Sequence, residues 1–78
     1  MKGITNEERD RRAKLFYDAD LGTVLTFADV GRVSGAVFIK TPNSRSPHLE
    51  WRLMSNPEVC RPGHMLVQGT IHTTWWLS

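Results

Sequence analysis

A chain of 78 residues with 40% apolar and 23% charged side chains has the make-up of one small globular domain, and size scaling lets it bury only roughly 60–65% of the surface its unfolded form exposes. The formal net charge of +2 is slight, so the placement of the basic residues matters more than their sum in judging a nucleic-acid role. No run approaches the ~18 apolar residues of a membrane span, the start Met1-Lys2-Gly3-Ile4-Thr5-Asn6-Glu7-Glu8 turns acidic where a signal peptide needs its apolar stretch, and one cysteine, Cys60, excludes an internal disulfide.

These features lead us to expect a cytoplasmic protein, in a host cytoplasm if phage-encoded, with no membrane contact. Thr5 followed by Glu8 is a capping-box spacing and predicts a helix start. Glu7 with Arg11, Glu8 with Arg12 and Asp10 with Lys14 then sit at i,i+4 with the acid first, the favourable order. Leu15, Phe16 and Ala19 form a late apolar stripe with the stem of Arg12, and Gly22 is the expected stop. The helix is thus expected to dock by its second half. Residues 23–30, with Val24, Leu25, Phe27, Ala28 and Val30, read as a strand covered on both faces, a short helix from Thr26 being the competing reading. Gly31 to Gly35 reads as a turn and Ala36 to Thr41 as the returning strand of a hairpin.

Pro42 to Pro47 is loop, Leu49 to Met54 alternates as a half-buried strand, and Ser55 to His64 is a connection broken by Pro57, Pro62 and Gly63. From Met65 to Trp76 the alternation predicts one long strand, bent or bulged near Gly69. Its inner set is Met65, Val67, Gly69, Ile71, Thr73 and Trp75; its outer set is Leu66, Gln68, Thr70, His72, Thr74 and Trp76. The expected fold is therefore α+β: an N-terminal helix on a four- or five-stranded antiparallel, strongly curved sheet, or a half-open small barrel.

Chemistry-bearing patterns are sparse. The helix arginines alternate with acids, which fits a self-paired solvent face better than a phosphate grip. Asp29-Val30-Gly31-Arg32-Val33-Ser34-Gly35-Ala36-Val37-Phe38, with Ser44-Arg45, is similar to the helix-turn-helix of tetracycline-repressor-type regulators. About three residues of the turn are missing, and Gly35, Val37 and Ile39 disfavour a recognition helix, so that function is not expected. Cys60, His48, His64 and His72 are zinc-type donors without zinc-type spacing, and no nucleophile, base and orienting group fall together. Neither an enzyme nor a metal or cofactor site is expected.

Trp51 and Trp75 fall on apolar faces, whereas Trp76 points outward beside Gln68, Thr70, His72 and Thr74. Tryptophan on a polar sheet face is the composition of an interface. The expectation is a small non-catalytic binding protein that occupies a surface of another macromolecule, most simply a protein. Short self-contained chains of this type are common among phage and mobile-element inhibitors of host machinery. The alternative is a nucleic-acid-binding module that uses a sheet face, Trp76 and the side chains of Arg32, Arg45, Arg52 and Arg61. Homo-oligomerisation through the sheet edge or Trp76 is compatible with both.

Overall fold

Thr5 opens the first helix as its spacing predicts, its Oγ1 accepting the Glu8 amide at 3.1 Å. In the computed structural model, which describes residues 3–28, 35–43, 45–46, 48 and 50–78, this helix is α1, Asn6–Asp18. The Glu8 carboxylate turns away from the cap to accept from Arg11 and Arg12. Lys14 pairs with Asp18 at 3.1 Å rather than with Asp10. The helix ends before the expected Gly22: Ala19 is already extended, and Gly22, at φ +93°, instead makes the turn into the sheet.

The stop is made by another element. Lys40, 4% exposed, donates from Nζ to the carbonyls of Phe16, Tyr17 and Ala19 at 3.1, 2.6 and 2.7 Å. These are C-terminal carbonyls that a helix leaves without internal partners, and a cation there also meets the negative end of the helix dipole.

The strands are β1 (Val24–Phe27), β2 (Val37–Lys40), β3 (Trp51–Leu53), β4 (Cys60–Arg61) and β5 (Trp75–Leu77). They form one antiparallel sheet in the order β4-β3-β2-β1-β5. The first four make a meander, and β5 returns beside β1. The sheet is open, with β4 and β5 at its edges, so the barrel alternative does not apply. The hairpin expected at Gly31 to Gly35 falls mostly outside the described residues, but the antiparallel pairing of β1 with β2 is as expected.

The long strand is corrected. Gly63–His72 is a second helix, α2, and only Trp75–Leu77 joins the sheet. Leu66, Val67 and Thr70 form the buried stripe of α2, at the i, i+1, i+4 spacing of a helical face. Gly69 marks a close approach rather than a bulge: a Cβ there would lie 2.8 Å from Cε1 of Phe27. The Thr73 hydroxyl then pins the chain to β1, donating to the Ala28 carbonyl at 2.7 Å.

Both helices cover one face of the sheet. Phe16 meets Trp51 and Trp75 edge-on, with centroids 5.9 and 5.4 Å apart, and Leu25, Phe27, Phe38, Leu66 and Val67 complete the core. Full burial of side chains of this size contributes roughly 1.5–3 kcal/mol each. Arg12 ties the layers together: it donates to Glu8, to the Thr70 hydroxyl and to the Thr70 carbonyl, with its guanidinium 5.8 Å from the centre of the Trp75 ring.

Candidate functional site

Residues directly opposite in an antiparallel pair share a face, so the register sorts the sheet. Leu25, Phe27, Phe38, Lys40, Trp51, Leu53, Trp75 and Leu77 face the helices, and Arg61, opposite Trp51 on the edge strand, falls on the same side. Val24, Thr26, Val37, Ile39, Arg52, Cys60 and Trp76 face the other way, through the pairs Val24 with Ile39, Thr26 with Val37, Thr26 with Trp76, Ile39 with Arg52, and Arg52 with Cys60. No described element packs over this outer face; its residues are partly exposed and Trp76 is 48% exposed. Residues 23–30 were expected to be covered on both faces, but β1 is covered on one.

The outward direction of Trp76 and the inward directions of Trp51 and Trp75 are as the alternation predicts. The rest of the predicted patch is dispersed. Gln68 and His72 are exposed on α2, in the layer behind the sheet, and Thr74 is exposed in the turn before β5. Thr70 is 6% exposed and serves the interior: its hydroxyl accepts from Arg12 at 2.9 Å and donates to the Val67 carbonyl at 2.6 Å. Once 65–72 coils, positions two apart no longer share a face.

Arg32 lies outside the described residues. Arg45, Arg52 and Arg61 are brought together along one groove of about 690 Å³ at the β3–β4 side of the sheet, with Glu58 and the partly buried Cys60 thiol. Asn43 shapes its rim, its Oδ1 accepting the amides of Arg45 and Ser46 at 3.1 Å each. Arg52 is braced by the Pro57 carbonyl and the Thr41 hydroxyl, and Arg61 donates to the Cys60 carbonyl. Through Arg52 and Cys60 this groove continues the outer face.

Arg11 and Arg12 pair with Glu8, Lys14 with Asp18 and Lys40 with Glu50. Among the described residues, no carboxylate lies within 4.0 Å of Arg45, Arg52 or Arg61. The guanidinium hydrogen bonds hold the Glu8 carboxyl below its ordinary pKa and raise that of Arg11. Three of the described basic side chains without a carboxylate partner thus line this groove, together with Glu58, beside an apolar sheet face.

Among the described residues, no group of three or more His, Cys, Asp or Glu side chains could hold a metal ion, and no helix is long and apolar enough to cross a membrane. Sequence reasoning missed the aliphatic part of the outer face, Val24, Val37 and Ile39. The signal was the same alternation that placed Leu25, Phe27 and Phe38 inside. No protein-family model, curated protein or solved structure matches the chain.

Proposed function

We propose that the chain is a non-catalytic binding protein that occupies a surface of a protein partner with the outer face of its sheet. The observation that supports this most is the continuity of an uncovered Val24–Val37–Ile39–Trp76 face with a groove holding three arginines that, among the described residues, no carboxylate pairs. An apolar centre with an aromatic anchor and a charged rim is the anatomy of a specific protein interface. The complementary partner presents an apolar patch bordered by aspartate or glutamate. Occupying such a patch is itself a mode of inhibition, which fits the expectation of an inhibitor of host machinery.

The arginine groove also favours a second reading, a nucleic-acid phosphate backbone lying across Arg45, Arg52 and Arg61. The aliphatic face argues for protein first, because sequence-tolerant strand binding relies on several stacked aromatics and, among the described residues, the aromatic side chain on this face is Trp76. Immobilised protein exposed to nuclease-treated lysate of the source cell or its host should retain a protein that Trp76→Ala loses and Arg9→Ala keeps. Retention indifferent to Trp76 refutes the proposed surface. Loss of all material on nuclease treatment, with oligonucleotide affinity falling steeply in salt, supports the second reading instead.

A further inference from the structure

On the helical side of the molecule, away from the outer sheet face, lies a separate pocket of about 690 Å³ between α1, the residues before β3 and the start of α2. Its walls include Lys14, His48, Glu50, Trp51, Gly63 and His64. We infer that this pocket is an oxyanion site, one that takes a phosphate or carboxylate group at the N-terminus of α2.

The helix start supplies half of the argument. α2 runs for ten residues from Gly63, and its N-cap is Pro62, which contributes no side-chain hydrogen bond. Met65 donates to the Pro62 carbonyl at 3.1 Å, but the amides of Gly63 and His64 meet no acceptor among the described residues. The first amides of a helix have no internal acceptor, and they point out at the positive end of the dipole. Serine, threonine, aspartate or asparagine would ordinarily fill this role from the cap.

Trp51 supplies the other half, independently of the helix. It is 1% exposed, yet no acceptor among the described residues takes its indole N–H. No buried side-chain nitrogen or oxygen among them is left without a partner, so Nε1 is not sealed in the core, and Trp51 is one of the residues that line the pocket. It stands against the first residue of α2: a Cβ on Gly63 would be 3.3 Å from Nε1 and 3.1 Å from the Phe16 Cβ. Glycine there leaves the indole N–H and the α2 amides open to the same space. Both are donors only, so the group they suit is an acceptor with several oxygens.

Lys14 reaches the rim from α1, held at 3.1 Å from Asp18, and His48 and His64 flank the mouth as exposed imidazoles. The carboxylate on this wall, Glu50, is drawn toward Lys40 Nζ at 3.5 Å. Ala13, Tyr17 and Pro62 add apolar surface, enough to hold the body of a small organic anion as well as its head.

The test is a ¹⁵N NMR titration of the intact chain with inorganic phosphate and, separately, with sodium acetate, each at ionic strength held constant with chloride. The inference expects the Trp51 indole N–H and the Gly63 and His64 amides to move together and saturably with at least one of the two, the tighter arm naming the preferred group. Lys14→Met, a change at an exposed side chain, should weaken that binding by about threefold or more, and Gly63→Ala by about tenfold. If Gly63→Ala disturbs the fold, His64→Pro at the second helical position removes one of the two amides and serves in its place. Trp76→Ala should leave the titration unchanged, which separates this site from the sheet face. Shifts that fail to saturate in both arms, or that leave the Trp51 indole in place, overturn the inference.

Discussion

Lys40→Met is the substitution whose cost follows most directly from the geometry. Methionine keeps most of the unbranched stem and removes the ammonium that binds three carbonyls at the end of α1, those of Phe16, Tyr17 and the C-cap Ala19, at 2.6–3.1 Å. Hydrogen bonds to a charged donor contribute about 1.5–3 kcal/mol each, but the three share one ammonium and do not add. Leaving a buried acceptor without its partner costs about 1–3 kcal/mol, and with three carbonyls losing one shared donor we expect a total of about 3–5 kcal/mol. A domain of this size has roughly 4–12 kcal/mol in total, so the variant should be marginal or largely unfolded in water. With a urea dependence of about 1 kcal/mol per molar, the midpoint followed by tryptophan fluorescence should drop by ~3 M or more. Glu50→Gln tests the alternative that the ion pair matters most. Glu50 lies 3.5 Å from Nζ with its side chain 32% exposed, so its loss should cost under ~1 kcal/mol. A Lys40→Met midpoint within ~1 M of the parent, or equal effects of the two substitutions, would refute the capping argument.

Gly69→Ala should destabilise by about 1–3 kcal/mol despite a gain of up to ~1 kcal/mol in helix propensity, because the new methyl meets the Phe27 ring; chemical denaturation decides the sign. Trp76→Ala, at a half-exposed position, should change stability by less than ~1 kcal/mol, so that lost partner binding reports the surface and not the fold. Glu8 has its carboxyl pKa lowered by hydrogen bonds from Arg11 and Arg12. Its contribution is therefore complete above the ordinary value of 4.5 and fades as pH falls through the lower folded value. Glu8→Gln should flatten that acid limb in melts recorded across it.

The parts legible in the sequence are those fixed by neighbours a few residues apart. The Thr5–Glu8 spacing located the helix start, and alternation in 36–41 and 49–54 located β2 and β3 and the inward tryptophan. Residues 65–72 misled because Val67, Thr70 and Ile71 are β-branched, which favours strands, while the helical stripe of Leu66, Val67 and Thr70 fits the same letters. Tertiary contact decided between them: Thr70 finds Arg12 and Gly69 finds the Phe27 ring, both distant in the chain. Lys40 was legible only in part. It shares the parity of buried Phe38, a lysine on an apolar face, but its partners at the end of α1 lie more than twenty residues away. The candidate site suffered from the same change. With 65–72 coiled, its outer residues left the sheet, and Trp76 found its neighbours instead on β1 and β2 through Thr26 and Val37.

The measurement that bears most directly on the central claim is the equilibrium affinity of the captured partner for the parent chain, Trp76→Ala, Ile39→Thr and Arg9→Ala. If the outer face is the interface, Trp76→Ala should weaken binding by about thirtyfold or more, as truncating a buried aromatic anchor does. Ile39→Thr should weaken it measurably, and Arg9→Ala, on the opposite layer, should leave it within about twofold. Equal affinities across all four proteins would contradict the claim that this chain acts through the uncovered face of its sheet.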